Sequence, residues 1–409
     1  MRFCSVERRP WPSPVAGRLK GIPGELHAAL RLSCRHDLKS DALDVIGAID
    51  PENGAAARAA ALALRAELPV SWRDDIVRAL QEQPRAAAVH ADVLGFKRVP
   101  VEAQLLQALG ATSAHGRPEV AWALGRVGSH ASVGAIRRMV NEAADVRTQR
   151  NGSIALLRLG DDSPAVDAQA AAAGTSLQQE VLGLAGDPAC VPLLLERLRV
   201  PASAATAAFA LGLLGDLSAV GPLLALLAEE DVARPAAVAL NTITGAQLHA
   251  RVFVPYTFDV DELTDEERAA FERDGTVPTR AGEPFGTWER RPLVDQASWR
   301  QWLEQNKHRF HRGARWRAGL PYGPDALVRC IKEDTTPHVV RSAAYRGIGG
   351  AVPPRRPVRS GPLCAAATAK HQPPRTVGCG TGVRVRAWRV VLRRAASGLI
   401  VARARLLRR

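Results

Sequence analysis

Aromatic residues are scarce in this chain of 409 residues, of which Phe, Trp and Tyr together make up 5%. Hydrophobic residues nevertheless reach 46%, so the apolar content is mostly aliphatic. Strands favour aromatic and β-branched side chains, because these pack well on a pleated surface. A chain rich in Ala and Leu and poor in aromatics is therefore expected to fold from closely packed helices rather than as a sandwich or barrel.

Long apolar runs are also missing. No stretch of about 18 apolar residues occurs, so no transmembrane helix is expected, and the N-terminus lacks the apolar core of a secretory signal. The six cysteines include no CxxC pair, and a disulfide framework is not expected in a chain of this length. These features predict a protein of a reducing compartment, the cytoplasm.

The short motifs of common enzymes are absent as well. The sequence has no Walker A, GxGxxG or GxSxG motif, and no His-Glu dyads lie on the predicted helices. His308 and His311 form a close pair, but cationic neighbours surround them and no thiol or carboxylate stands at ligand spacing. The sequence therefore predicts a non-enzyme without catalytic residues, metal site or cofactor.

Acidic residues are missing from one end of the chain. The formal net charge is +14, yet residues 341–409 contain 16 Lys and Arg and no Asp or Glu, which leaves the rest close to neutral. Residues 346–409 are predicted to be a disordered basic tail. Two other interpretations stay open, non-specific nucleic-acid binding and contact with an anionic membrane; a shifted reading frame would also produce such a composition.

What the sequence does contain is a repeat. In the stretch from Gly186 to Gly245, two apolar helical patterns begin at Val191 and Val220, which are 29 positions apart. The first pattern places its apolar residues at i, i+3, i+4 and i+7, and therefore on one helix face. These residues are Val191, Leu194, Leu195 and Leu198. A unit of about 30 residues that consists of two helices, each followed by a turn, is typical of a helical repeat array.

Terminal glycines mark the ends of successive units. They lie at positions 128, 160, 186, 215 and 245, and such glycines are typical helix C-caps. The spacing is irregular in the middle, where residues 170–174 are expected to shorten a helix. Ser71 with Asp74 resembles a capping box and predicts a helix start. The fold class that follows is all-α, an α-solenoid of HEAT-like helix pairs.

The composition divides the chain into five segments. Residues 1–35 are rich in Pro and Gly and are predicted to be an irregular N-terminal arm. Residues 36–250 form the repeat array, and 251–297 an acidic insertion or linker with one short helix over 264–273. Residues 298–345 are predicted to be a Trp-rich C-terminal helical cap, followed by the basic tail of 346–409.

The tryptophans of the fourth segment are the candidate site residues. Trp299, Trp302 and Trp316 lie close together in the sequence. Repeat arrays need caps that seal their terminal apolar surface, so these rings either close the array or bind a partner. All three are retained as candidate protein contacts.

Two resemblances follow from these residues. The units look like HEAT repeats of the short bacterial type. Ile243-Thr244-Gly245, then W-x-x-W and F-x-x-G-x-R-W-x-x-G-x-P between Trp299 and Pro321, are similar to a bacterial HEAT-repeat family found with type VI secretion gene clusters. The resemblance covers roughly residues 70–345. It implies an α-solenoid associated with that secretion apparatus, and it implies no known reaction.

The predicted function is a non-enzymatic scaffold that binds other proteins, with components of type VI secretion as candidate partners. One alternative is an enzyme of the phycobilin-lyase-related HEAT group, which would need a tetrapyrrole. The other is nucleic-acid binding through the basic tail, which carries the positive charge that residues 1–340 lack. Nucleic acid is not the expected partner, because a disordered segment is the simpler interpretation of such a tail.

Overall fold

The structure is a computed structural model that describes residues 23–112, 115–255, 263–275, 279–280, 283–284 and 286–332. All of these belong to one compact unit. The predicted basic tail lies outside the described residues, as do positions 1–22 of the predicted arm and positions 333–345 of the predicted cap. The described part is mostly helical with a few short strands, so the predicted all-α class is confirmed at that level.

Fifteen helices occupy the described part of residues 23–244. They are α1 (Pro23–Arg35), α2 (Lys39–Gly47), α3 (Gly54–Glu67), α4 (Arg73–Glu82), α5 (Ala87–Lys97), α6 (Glu102–Ala111), α7 (Arg117–Val127), α8 (Val133–Glu142), α9 (Val146–Arg158), α10 (Ser163–Ala170), α11 (Ser176–Ala185), α12 (Val191–Leu198), α13 (Pro201–Leu214), α14 (Val220–Ala225) and α15 (Glu230–Thr244). Helices α12 and α14 begin at Val191 and Val220, where the apolar spacing predicts them.

The odd-numbered helices contact one another in chain order, from α1 on α3 through to α13 on α15. From α5 onwards, each odd-numbered helix also packs on the even-numbered helix that precedes it. Each inner helix of this odd-numbered series therefore contacts the preceding and the following odd-numbered helix. Most of them also contact an even-numbered helix. These contacts bury the Ala- and Leu-rich faces that no single helix pair covers.

Small residues set the distance between neighbouring odd-numbered helices. A Cβ atom added at Gly125 of α7 would lie 2.7 Å from the Cα of Ala155 in α9, closer than real Cβ atoms approach. The same arrangement recurs along the series, with Gly95 against Ala123, Gly183 against Ala210, and Gly212 against Ala239. The backbones of neighbouring helices thus touch directly.

The two predicted glycine C-caps at the end of the array are confirmed. Gly215 follows α13 with φ +77°, and Gly245 follows α15 with φ +63°. Each backbone N–H donates to the carbonyl four residues earlier. Only glycine adopts this left-handed conformation without strain.

The predicted irregular arm of residues 1–35 is wrong for its last 13 residues, which form α1. Pro23 occupies the first position of this helix, where a missing N–H costs nothing. Leu30 and Cys34 are buried against the neighbouring helices. The prolines on which the prediction rested mostly precede α1 and do not interrupt it.

The predicted capping box at Ser71 is also wrong. Val70–Trp72 forms a 3₁₀ turn, and α4 begins at Arg73 without a side-chain cap. The Trp72 side chain is buried, and its indole N–H donates to Asp37 Oδ1 at 2.5 Å. Burial of this large ring fixes the entry into α4.

The shortened helix in the middle of the array is observed. Helix α10 ends at Ala170, and Ala172 and Ala173 adopt positive φ values. Gln179 Nε2 donates to the Ala173 carbonyl at 3.1 Å, and Arg197 Nε donates to that of Ala172 at 3.0 Å. These two bonds hold a turn that alanine alone disfavours.

The segment predicted as an acidic linker, residues 251–297, contains strands that the sequence analysis missed. Strand β1 (His249–Pro255) pairs antiparallel with β4 (Gly286–Pro292), and between them lie helix α16 (Asp265–Asp274), β2 (Thr279–Arg280) and β3 (Glu283–Pro284), the last two paired with each other. Phe253 faces Trp288 across the ladder with ring centroids 5.5 Å apart. Helix α16 is the predicted short helix, and Thr264 and Glu267 form its capping box.

The predicted cap is only partly helical. It contains α17 (Gln296–Asn306), β5 (Trp316–Arg317), β6 (Leu320–Pro321) and α18 (Pro324–Lys332), with β5 and β6 paired antiparallel. Strand β5 contacts α15, and α17 contacts α14. The segment therefore packs on the last helices of the array.

Candidate functional site

Two of the three candidate tryptophans are not surface residues, which corrects their prediction as protein contacts. Trp299 is 0% exposed and Trp316 is 3% exposed. Both belong to the apolar cluster formed by α11 to α15. The Trp299 indole N–H donates to the Leu293 carbonyl at 2.7 Å, and that of Trp316 to the His311 carbonyl at 3.2 Å. Rings buried in this way offer no area to a partner.

Trp302 is half-buried, and its contact role stays a prediction. Its ring lies 6.3 Å from that of Phe310, which in turn lies 4.9 Å from Trp316. The Arg309 guanidinium lies 5.9 Å from the Trp302 ring centroid. The three aromatic rings form a chain from the core to the surface.

Residues 315–319 bind the C-terminal ends of three array helices. Arg315 Nε donates to the Leu214 carbonyl at 2.7 Å, and its Nη1 reaches the Gly186 carbonyl at 3.4 Å. The N–H groups of Ala318 and Gly319 donate to the last turn of α15. Carbonyls at a helix end lack intrahelical partners, and cations there are favoured by the helix dipole. The R-W-x-x-G part of the motif is thus structural.

Arg317 is 3% exposed and also binds the C-terminal end of α13. It donates to the Leu213 carbonyl, and Tyr322 lies against both guanidinium groups, 4.4 Å from Arg315 and 5.6 Å from Arg317. Burial lowers the pKa of both arginines. The two guanidinium groups are thus stabilised by carbonyl dipoles and by an aromatic face, where a carboxylate would be the usual partner.

A different set of charged residues joins the odd-numbered helices. Arginines on one helix pair with carboxylates on the next, mostly at half-buried positions where solvent screens them only in part. The pairs are Arg31 and Arg35 with Glu67, Arg65 with Asp92, Arg147 with Glu119, and Arg150 with Glu180. They connect α1 to α3, α3 to α5, α7 to α9, and α9 to α11.

An open cleft of about 780 Å³ lies along four of these helices. It is lined by side chains of α3, α5, α7 and α9 and by the short segments that precede α3 and α7. Its polar lining includes Glu52, Arg58, Arg65, Asp92, His115, Glu119, Arg147 and Asn151, and its apolar lining includes Leu62 and Trp122. Leu62 is 43% exposed. We call this region the cleft.

Two carboxylates on the cleft floor have raised pKa values. Burial raises the pKa of Glu119 to about 7, against the opposing charge of Arg147, and the nearby Asp92 raises it further. Burial also raises the pKa of Asp92, against the opposing charges of Arg65, Arg126 and Arg147. The side chains of Asp92 and Glu119 are 13% and 15% exposed, so their charges interact more strongly than on an open surface.

Beside the cleft, two arginines and two aromatic rings form an arginine–aromatic cluster. It consists of Arg65, Phe96, Trp122 and Arg126. The Arg65 guanidinium lies 5.0 Å from the Phe96 centroid and 5.2 Å from that of Trp122, and Arg126 lies 4.9 Å from Trp122. Phe96 is nevertheless 44% exposed. Arg65 and Trp122 also line the cleft. Phe96 and Arg126 lie one helical turn beyond Asp92 and Trp122 of that lining, so the cluster continues the cleft.

The Arg126 guanidinium has no carboxylate as an ion-pair partner among the described residues. Its Nε donates to the Gly95 carbonyl at 2.8 Å. Burial, followed by the neighbouring charges of Arg98 and Arg65, lowers its pKa to about 10. An anion placed here would relieve that repulsion.

The cleft has the composition of a binding surface. Together with the adjoining arginine–aromatic cluster, it combines unpaired cations, ion pairs between helices and partly exposed apolar groups. Across the described ranges, no cluster of three or more His, Cys, Asp or Glu side chains is arranged to hold a metal ion. None of the helices in that part of the chain has the length and apolar character needed to cross a membrane.

No protein-family model, curated protein or solved structure matches this chain. The sequence resemblances to HEAT repeats and to the type VI secretion-associated family therefore remain predictions.

Sequence reasoning missed the cleft. Most of its residues come from α3, α5, α7 and α9, and in the sequence the charged ones look like ordinary residues of solvated helix faces. A usable signal was present in retrospect: Arg65, Asp92, Glu119 and Arg147 recur along the chain at nearly equal intervals. That spacing is close to the repeat length, so the four fall at matching positions on successive units.

Proposed function

We propose that this protein is a HEAT-like α-solenoid that acts as a non-enzymatic scaffold and binds another protein in the cleft. The contacts between odd-numbered helices in chain order support the solenoid. Each unit packs on the units before and after it, as in arrays whose stability is a sum of neighbour interfaces.

The single observation that carries the binding role is the cleft itself. Four odd-numbered helices that follow one another present charged and apolar side chains to one open space of about 780 Å³. Leu62 in the cleft and Phe96 in the adjoining cluster are each more than two-fifths exposed. Exposed apolar surface with a polar rim is characteristic of protein interfaces.

The association with type VI secretion is the more specific part of the proposal. It is supported by the block from Trp299 to Pro321, which resembles the corresponding block of that family. In this chain the block packs on α13 and α15, so its role would be to close the array and leave the cleft free for the partner. We place this activity in the cytoplasm, in keeping with the buried free thiols Cys34, Cys190 and Cys330.

The test is a crosslinked pull-down from native cells with the full chain as bait. Leu62→Glu puts a charge into the cleft, whereas Val200→Glu changes a residue of equal exposure, 42% against 43%, outside it. We expect the wild type and Val200→Glu to recover the same secretion-apparatus subunits, and Leu62→Glu to lose them.

Equal recovery by Leu62→Glu would show that the partner binds elsewhere on the protein. Recovery of other proteins, lost only with Leu62→Glu, would leave the scaffold function standing and remove the link to type VI secretion.

A further inference from the structure

The unpaired charges of the cleft indicate the chemistry of its partner. Asp92 and Glu119 are each neutralised by an arginine of a neighbouring helix, and Glu52 lies 3.6 Å from His115 at the rim. Arg58 and Arg126 form no ion pair within the described residues. The cleft with its arginine–aromatic cluster therefore offers two cations that an incoming ligand can pair with.

Apolar contact is available next to these cations. Leu62 lies one helical turn beyond Arg58 on α3, since i and i+4 share a face. Phe96 is exposed beside Arg126, with the two groups 5.9 Å apart. A ligand that binds here needs negative charges with apolar groups between them.

From these contacts we infer that the cleft binds an acidic, extended peptide segment of a partner protein, with Asp or Glu side chains on Arg58 and Arg126 and apolar side chains on Leu62 and Phe96. This rests on the proposed scaffold function and names the partner class. Three interhelical spacings of roughly 9 Å span about 27 Å, which corresponds to about eight residues of extended chain.

The protein's own basic tail does not fit this cleft. Residues 341–409 carry 16 Lys and Arg and no acid, so they have the same sign of charge as the unpaired arginines. Like charges brought together across an interface repel each other, which disfavours such a pairing. The occupant is therefore another molecule with the opposite charge.

A nucleic acid is the weaker candidate for the same two cations. Binding to a phosphate backbone requires a stripe of Lys and Arg, because each contact neutralises one phosphate. Arg65 and Arg147 of this cleft are already paired with Asp92 and Glu119, so two cations are left, too few for a continuous polyanion. A peptide can place its few carboxylates at the arginines and neutral groups over the acids.

The experiment measures fluorescence anisotropy of the full chain with labelled peptides of about eight residues. One peptide contains Glu, Leu and Gly, the second has Lys in place of Glu, and a labelled single-stranded oligonucleotide is the third probe. Arg58→Glu reverses an exposed cation of the cleft. Arg138→Glu is the matched control, because Arg138 is exposed on α8, which contributes nothing to the lining.

We expect the glutamate peptide to bind the wild type and Arg138→Glu equally, and Arg58→Glu about tenfold more weakly. Binding should weaken as salt is raised, because the pairing is partly exposed. Preference for the lysine peptide or the oligonucleotide, equal weakening by both variants, or no binding of any probe would overturn the acidic-peptide inference. The scaffold function itself would still be decided by the pull-down with Leu62→Glu.

Discussion

At the scale of single residues, burial decides what a charged group does. Glu67 on α3 faces Arg35 and Arg31 near the surface, and the hydrogen bonds from these two arginines lower its pKa to about 2. Glu119 on α7 also contacts an arginine, yet burial raises its pKa to about 7. The difference arises because removal of water penalises the charged form more than one partner favours it.

Glu119 therefore makes the stability of the protein depend on pH. Its pKa in the folded state lies above the ordinary value of 4.5, so the folded state holds more protons than the unfolded state between about pH 4.5 and about pH 7. The free energy of unfolding falls as pH rises through this window. A shift of this size corresponds to about 3 kcal/mol.

We expect Glu119→Gln to remove most of this fall, and to be more stable than the wild type at about pH 8. Urea unfolding at a series of pH values, followed by circular dichroism, measures it. Glu142→Gln, at an exposed position on α8, should keep the wild-type pH profile. A profile of Glu119→Gln that parallels the wild type would show that Glu119 is ionised in the folded protein throughout this range.

At the scale of elements, the helices are specified by local pattern and their spacing by small residues. The apolar periodicity predicted α12 and α14 with correct starts, and the glycines after α13 and α15 with correct roles. Local pattern was insufficient at Ser71, where burial of Trp72 displaced the helix start. It was also insufficient for β1 and β4, because each strand needs a partner that is distant in the sequence.

Two glycines that look alike in the sequence have opposite roles. Gly125 on α7 touches the backbone of α9, whereas a Cβ atom added at Gly134 on α8 would meet only the end of the Arg138 side chain, at an ordinary contact distance of 3.9 Å. We expect Gly125→Ala to lower the free energy of unfolding by about 1–3 kcal/mol through overpacking. Gly134→Ala should raise it by about 0.5 kcal/mol, because alanine loses less backbone freedom in a helix.

Thermal or urea unfolding of the two variants side by side checks this prediction. If Gly125→Ala were as stable as Gly134→Ala, α7 and α9 would not touch at this point in solution.

At the scale of the whole molecule, the C-terminal segment holds the last helices of the array together. Arg315 reaches from the residue before β5 to the ends of α11 and α13, which lie far earlier in the chain. Trp299 and Trp316 complete the same apolar cluster. The segment covers apolar surface of these helices, as the cap of the proposed array would do.

We expect Arg315→Met to lower the free energy of unfolding by about 1–3 kcal/mol, since it leaves helix-end carbonyls without a donor. Arg312→Met, at an exposed position three residues earlier, should have almost no effect. Amide hydrogen exchange shows where the protein is destabilised. We expect the loss of protection to be concentrated at the C-terminal ends of α11 and α13. Uniform loss over α1 to α9 would contradict a local capping role.

The sequence by itself determined the helical class, the repeating helix-pair pattern, most helix positions and the concentration of charge in residues 341–409. These properties depend on composition and on neighbours within a turn or two, which one sequence contains in full. Only the tertiary structure decided that Trp299 and Trp316 are buried, that β1 pairs with β4, and that Arg58, Asp92 and Glu119 line one cleft. Whether a side chain is buried, and which side chains share a cleft, depends on which elements distant in the sequence pack together. A charged residue on a solvated helix face and one in the cleft have the same sequence neighbours, so the sequence does not distinguish them.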